Sequence, residues 1–402
     1  MRMRAFKFRV YPTASQQILI RQSFGSVRFV YNWGIETKRT AYQNGQKLSG
    51  FDLIKKLPEL KIQHPWLSDT NSQSLQATLR NLDSAFIRFF KKLARYPQFK
   101  SRHHSNSSFL VPQHFSVDQK NNTIVVPKIG SIKAVLHRTI EGEPRSITLS
   151  MSKSGKFFAS ILVQTDEEDR PVKPVKPATA IGVDLGLKSF LVDSNGKKVE
   201  NPRHLRKSIQ KLKYLSKQFS RKQKDGKNRE RARLCLARQY EKVSNQRADF
   251  LHKLTTRLVR ENQAGTICVE DLNIAGMMRN HKLARSIQDA SWGEWLRMLE
   301  YKCKWHGVNL VRIGRFEPSS RLCPCGYRNK ELTLRDREWT CPKCGATHDR
   351  DILAAQNIRA FGIIKTCGGT RRVKIGELPV CNPGAMNQES MPFHRAWNLT
   401  PA

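Results

Sequence analysis

Three acids stand where an acid has a strong reason to be. Asp184 lies in the otherwise apolar run Ala180-Ile181-Gly182-Val183-Asp184-Leu185, Glu270 follows Thr266-Ile267-Cys268-Val269, and Asp351 opens a helical pattern with Ile352, Ala355 and Ile358. A carboxylate flanked by apolar residues on a strand is costly to bury unless something neutralises it. A divalent cation does so. Mg²⁺ suits such a site because it takes a few carboxylates, keeps waters and binds phosphate oxygens. Two ions about 3.5–4 Å apart can activate a water and stabilise the leaving oxygen of a phosphodiester.

Four of the nine cysteines (Cys323, Cys325, Cys341 and Cys344) fall within 22 positions, a clustering that points to metal. In Cys341-Pro342-Lys343-Cys344-Gly345 the two-residue gap lets both sulfurs meet one tetrahedral ion, and the glycine lets backbone N–H groups turn toward a thiolate. The first pair, Cys323-Pro324-Cys325-Gly326, is one residue short of that spacing, and fifteen residues separate Cys325 from Cys341. The expectation is a structural Zn²⁺ on four thiolates, with His348 as a substitute ligand and loss of the metal as the alternative. Such a zinc has no open position for substrate. It would position the segment that delivers Asp351.

Lys and Arg number 72 against 33 Asp and Glu, a net charge of +39 over 402 residues. That surplus excludes most soluble metabolic enzymes. With 39% hydrophobic and 8% aromatic residues, ordinary cores can form, so the charge belongs to folded domains more than to a disordered tail. A field of one sign repels itself unless phosphates neutralise it, which makes nucleic acid the expected partner rather than a membrane. No apolar run approaches the roughly 18 residues of a membrane span. The start, Met1-Arg2-Met3-Arg4-Ala5-Phe6, alternates apolar and basic residues and lacks the apolar core of a signal peptide. The expected compartment is the cytoplasm, where nine cysteines do not read as a disulfide framework.

The elements that must position these groups follow from periodicity. Phe6, Phe8 and Val10 alternate with Lys7 and Arg9, a strand stopped by Pro12, and Thr13 then caps a helix with Ile18 and Ile20. A second helical stretch, Ser26 to Asn44, completes a basic helical pair. Leu75, Leu79, Leu82, Phe86, Phe89 and Leu93 recur at spacings of three and four, a helix whose Phe stripe reads as core packing rather than base stacking. Short β-like runs between Phe109 and Gln164 predict a small barrel-like sheet. Thr165 to Thr179, acidic and then Pro-rich, is the best domain boundary. From Arg203 to Lys242, fifteen Lys and Arg face Asp225, Glu230 and Glu241 on a helical background broken at Gly226. A solvated helical hairpin would look like this, and so would a phosphate-facing one; the density of one sign favours phosphate.

The order of hairpin-strand acid, later strand acid and helix acid is what an RNase H-like nuclease core requires. Singly, each acid has a plainer reading. A strand-terminal Asp is often a cap, and the Asp-Leu-Gly hairpin also occurs in actin-like ATPases, but those have no evident need for such a charge. The chain resembles the TnpB (OrfB) family of insertion-sequence-encoded, RNA-guided DNA endonucleases related to type V CRISPR effectors. The likeness rests on Gly182-Val183-Asp184-Leu185-Gly186, Val269-Glu270-Asp271-Leu272-Asn273, Pro318-Ser319-Ser320 and Asp349-Arg350-Asp351 before Ala354-Ala355. It extends to Tyr11-Pro12-Thr13, Phe89-Phe90, Tyr96-Pro97 and Phe99-Lys100, and so covers most of the chain up to about residue 362.

The resemblance implies a multidomain α/β chain: a small β-barrel with inserted helices over 1–164, a linker over 165–179, and a RuvC-type core over 180–362. Within that core lie a basic helical insertion at 203–260 and a zinc ribbon at 318–348, and a flexible tail spans 363–402. Asp184, Glu270 and Asp351 map onto the catalytic acids, with two Mg²⁺ ions, and Asp349 is a nearby polar group. The partners implied are a guide RNA from the mobile element and a double-stranded DNA target cut beside a short motif; the sequence does not give the oligomeric state, a monomer being favoured. RNA pairing would supply sequence while the protein reads shape. Two departures stand out: the shortened first knuckle, which bears on zinc affinity, and Leu353 where the family usually has Asn, on the helix carrying Asp351, which bears on how that acid is positioned without removing it. The competing expectation is a nucleic-acid-binding regulator of transposition or transcription. A strand-exchanging transposase ranks below both, since no Tyr or Ser nucleophile stands out.

Overall fold

The computed structural model describes residues 1–102, 107–261, 264–333 and 335–367. The chain divides into two compact units, Met1–Glu168 with Lys222–Arg238, and Asp169–Arg221 with Gln239–Ala402.

In the first unit the alternating start forms β1 (Arg2–Tyr11), and Thr13 then caps α1 (Ala14–Gln43) in a capping box with Gln16. The expected pair of helices is therefore a single one. Ile20, Phe24, Val27, Tyr31 and Ile35 keep one buried face straight through Ser26, and the lone Gly25 is not enough to end the helix. Helices α2 (Gly50–Lys55) and α3 (Leu57–Gln63) lead to α4 (Ser72–Phe90), where Leu75, Leu79, Leu82 and Phe86 are core residues. Phe90 and Leu93, at and beyond the helix end, are exposed.

Six more strands follow: β2 (Ser107–Val111), β3 (Ser116–Asp118), β4 (Thr123–Val126), β5 (Gly130–Val135), β6 (Glu143–Met151) and β7 (Phe157–Thr165). With β1 they make an antiparallel seven-stranded sheet in the order β2-β6-β7-β1-β5-β4-β3. Its edge strands β2 and β3 do not pair, so the expected barrel is an open half-barrel. Three-residue β3 is too short to close it.

The second unit begins inside the Pro-rich stretch, which is tied down: Lys173 N donates to Gly307 O and Asn309 Nδ2 to Lys173 O. Strands β8 (Ala180–Leu185), β9 (Ser189–Asp193) and β10 (Lys198–Glu200) form an antiparallel meander. The basic hairpin is α5 (His204–Ser220) and α6 (Lys227–Arg260), parted at Gly226; its tip, Lys222–Arg238, belongs to the first unit, whereas all of 203–260 was expected in the second. Next come β11 (Thr266–Glu270), α7 (Ile274–Met277), α8 (His281–Ala290), α9 (Trp292–His306) and β12 (Asn309–Ile313). The five-stranded sheet runs β10-β9-β8-β11-β12, with β8, β11 and β12 parallel.

The two-stranded ribbon β13 (Glu338–Thr340) and β14 (Thr347–Asp349) leads directly into α10 (Arg350–Thr366). Helix α10 lies unusually close to the sheet. A Cβ on Gly182 would overlap the Ala355 carbonyl oxygen, and one on Gly362 would overlap Cys268 Sγ. Glycine at both positions is what lets the helix rest on β8 and β11. Ile363 and Ile364 stay buried, so the helix continues past the expected domain end at 362, and 368–402 of the expected tail lie outside the described residues. No helix among the described residues is long and apolar enough to cross a membrane.

Candidate active site and metal centre

The parallel register of β8 and β11 pairs Val183 with Val269, so Asp184 and Glu270 come next on adjacent strands at the same sheet edge. Helix α10, packed on β8, brings Asp351 to that edge from its first turn. Burial, then Glu270 and then Asp351 push the Asp184 carboxyl up from 3.8 to about 7. Ser319 Oγ donates to Glu270 Oε1 at 2.5 Å. Arg337 pairs loosely with Asp351, at 3.6 Å, and Arg315 holds the neighbouring Asp271 at 2.8 Å.

Asp349 is the N-cap of α10, accepting from the backbone N–H groups of Asp351 and Ile352 at 3.0 and 3.1 Å. Burial would raise its pKa, but the Lys198 ammonium at 2.6 Å and those N–H groups outweigh it and hold the carboxyl below its ordinary range. The two aspartates of Asp349-Arg350-Asp351 thus differ in environment. The first is engaged by the fold, while the second projects from the helix start.

Raising the Asp184 pKa means the folded chain binds that proton more tightly than the unfolded chain does. In protein stripped of divalent ions, stability is therefore lost as pH climbs from about 4 to about 7. The Asp184→Asn variant lacks this loss. Chemical denaturation in a chelator should find it more stable than the parent at pH 8, by up to about 4 kcal/mol, and no more stable at pH 4. An unchanged difference across that range would show that burial and its acidic neighbours do not raise the Asp184 carboxyl.

The four cysteine sulfurs all lie within 4.8 Å of one another; among the described residues no other group of three or more Cys, His, Asp or Glu donors, Asp184, Glu270 and Asp351 included, lies that close together. Cys323 Sγ to Cys344 Sγ and Cys325 Sγ to Cys341 Sγ are each 3.6 Å. Sulfurs about 2.3 Å from a tetrahedral zinc are about 3.8 Å apart, so the donors fit that ion. The shortened first knuckle still converges, because Gly326 and Gly345 adopt matching positive φ angles of 88° and 73° that turn each loop back on its cysteine. His348 Nε2 sits 3.2 Å from Cys323 Sγ, beside a thiol set that is complete without it.

Leu353 is buried against Cys323, Leu332, Trp339 and Cys341, so it knits α10 to the ribbon. Ser319 and Asn357 were not singled out as site residues. Fully buried Asn357 lies one turn beyond Leu353 and donates from Nδ2 to Ser319 O at 2.6 Å and to Leu322 O at 2.7 Å. The signal available was the Pro318-Ser319-Ser320 run and the spacing of four between Leu353 and Asn357, which puts both on one helix face.

These features define a mixed α/β protein with an open half-barrel sheet, an acid-edged sheet and a cysteine ribbon. Residues 160–281 match a family model of OrfB from IS605-type elements described as "Probable transposase", 292–358 match the Cas12f1-like TNB domain, and 1–47 match a "Helix-turn-helix domain". A "Putative RNA-guided DNA endonuclease" of Streptomyces pristinaespiralis is 40% identical over 377 residues, covering 91% of each chain. The "Putative RNA-guided DNA endonuclease InsQ" of Escherichia coli (strain K12) is 33% identical over 387 residues, covering 91% of this chain and 94% of that one. In fold, the chain is similar to the protein in the structure of a Cas12f1-sgRNA-target DNA complex, with a TM-score of 0.55 and 14% identity over 89% of this chain and 98% of that one. The chain belongs to the TnpB (OrfB) family.

Proposed function

We propose that this protein is an RNA-guided, Mg²⁺-dependent DNA endonuclease of the RuvC type, cutting DNA beside a short motif associated with its mobile element. The observation that carries the reading is the placing of Asp184, Glu270 and Asp351 at one sheet edge, where burial first, and then Glu270 and Asp351, push the Asp184 carboxyl to about 7. A buried acid repelled by its acidic neighbours suits a site completed by cations. The strand order, with an antiparallel meander followed by two parallel strands, supports an RNase H-like core.

Bound between these acids, Mg²⁺ would supply Lewis acidity to the scissile phosphate and to an attacking water. Asp184 would hold the ions from the sheet, Glu270 from the adjacent strand in an orientation set by Ser319, and Asp351 from the helix. The Asp349 cap and the Lys198 pair keep the helix start still, so that Asp351 opposes the two strand acids. Zn²⁺ on the four cysteines would be structural. The guide RNA and the DNA would account for the charge of +39.

The protein purified with its co-purifying RNA, once that RNA is sequenced, should cut double-stranded DNA matched to it when Mg²⁺ is present. Omission of Mg²⁺ should stop cutting and leave binding. Binding that persists with no Mg²⁺-dependent cutting would assign the chain instead to regulation of transposition or transcription.

A further inference from the structure

We propose that Ser319 and Asn357 are positioning residues that tie the cysteine ribbon to Glu270, so that the shape of the ribbon's entry loop sets how Glu270 meets a divalent ion. This rests on the carboxylate-site reading above. The connection is continuous and short. Ser319 Oγ donates to Glu270 Oε1 at 2.5 Å, a charge-assisted bond that selects one orientation of the carboxylate. The backbone of Ser319 is fixed in turn by Asn357 Nδ2, which also grips Leu322 O, the carbonyl just before Cys323. One amide thus clamps both ends of the segment that starts beside the acid and ends at the first knuckle.

Packing alone does not explain an asparagine there. Its side chain is fully buried, and its Oδ1 has no hydrogen-bond partner among the described residues, an arrangement that costs stability. An apolar residue would escape that cost. What the amide alone supplies is the pair of short bonds to two carbonyls, and Leu353 one turn earlier already provides apolar contact with the ribbon. The clamp also lies on the opposite side of α10 from Ala355 and Arg359, which approach Gly182. Helix α10 therefore holds the strand of Asp184 on one side and the loop behind Glu270 on the other.

The partners of a metal ligand typically change metal affinity 10–100-fold when removed. The test uses the full-length chain with its co-purified RNA, and Mn²⁺ binding measured by titration calorimetry and by electron paramagnetic resonance. Glu270→Gln is the reference. If it leaves Mn²⁺ binding intact, the carboxylate-site reading fails, and this inference with it. Given that loss, Ser319→Ala should weaken Mn²⁺ binding about tenfold or more with zinc content unchanged, and Ser319→Thr, which keeps the hydroxyl, should restore it. Asn357→Ala should weaken it similarly, and the Ser319→Ala/Asn357→Ala pair no further than the stronger single change, because both act through one bond. Normal Mn²⁺ affinity in Ser319→Ala, no rescue by threonine, or strictly additive losses would each overturn the assignment while leaving the carboxylate site standing.

Discussion

Replacing Asp184 by Asn should lower DNA cleavage by roughly 10³-fold or more, while the complex with RNA and DNA forms with nearly unchanged affinity. The change is close to isosteric, so packing at the end of β8 is kept. What disappears is the anionic oxygen that would hold a cation against Glu270 and Asp351. Because burial and those two neighbours raise Asp184 to about 7, the parent should also lose divalent affinity as pH falls through that value, and cleavage with it, whereas any residual rate of the variant should not follow that profile. Single-turnover cleavage measured from pH 5.5 to 9, alongside filter binding, separates the two effects. Cleavage by the variant at the parental rate would remove Asp184 from the site.

The second large effect concerns the ribbon. Cys341→Ser removes a fully buried thiol from the set of four, and structural zinc binding in small domains is worth about 10–16 kcal/mol. The variant should lose most of its zinc, as read by elemental analysis, and gain protease-sensitive sites between Pro318 and Asp349. Cleavage should fall too. Trp339 and Leu332 would no longer enclose Leu353, and the carbonyl of Leu322 would no longer be held for Asn357, so the ribbon-facing side of α10 that steadies Asp351 and Glu270 would slacken. Asp349, paired with Lys198, would still cap the helix, so the second unit should remain folded. A Cys341→Ser protein with full zinc content would end the four-thiolate reading, whatever its activity.

Much of the site was legible because its chemistry is local. A strand acid inside an apolar run, an acid at a helix start and a Cys-x-x-Cys pair are each visible within a few residues, and their surroundings explain why such groups need a partner. Asp184, Glu270 and the helix start at Asp351 lie in the elements their patterns predicted. The errors fell where the deciding contact is distant. The break read near Ser26 was overridden by a buried face running the length of α1, and the barrel stayed open because the pairing of β2 and β3 depends on the whole sheet. The contacts of Leu353 with the ribbon were likewise not visible in the helix that carries it.

The amino-acid sequence by itself determined the charge, the acids, the thiols and the periodicity of the elements carrying them, since these depend on residue type and on spacings of two to four. Tertiary structure alone decided that Asp184 and Glu270 share an edge, because a parallel register spanning 86 residues cannot be read from either strand. It alone decided that a Cys-x-Cys pair can complete a set of four, and that Asn357 clamps the loop behind Glu270. The close approach of α10 to Gly182 belongs with these outcomes, a contact between segments far apart in the chain whose geometry is set by the packing around it.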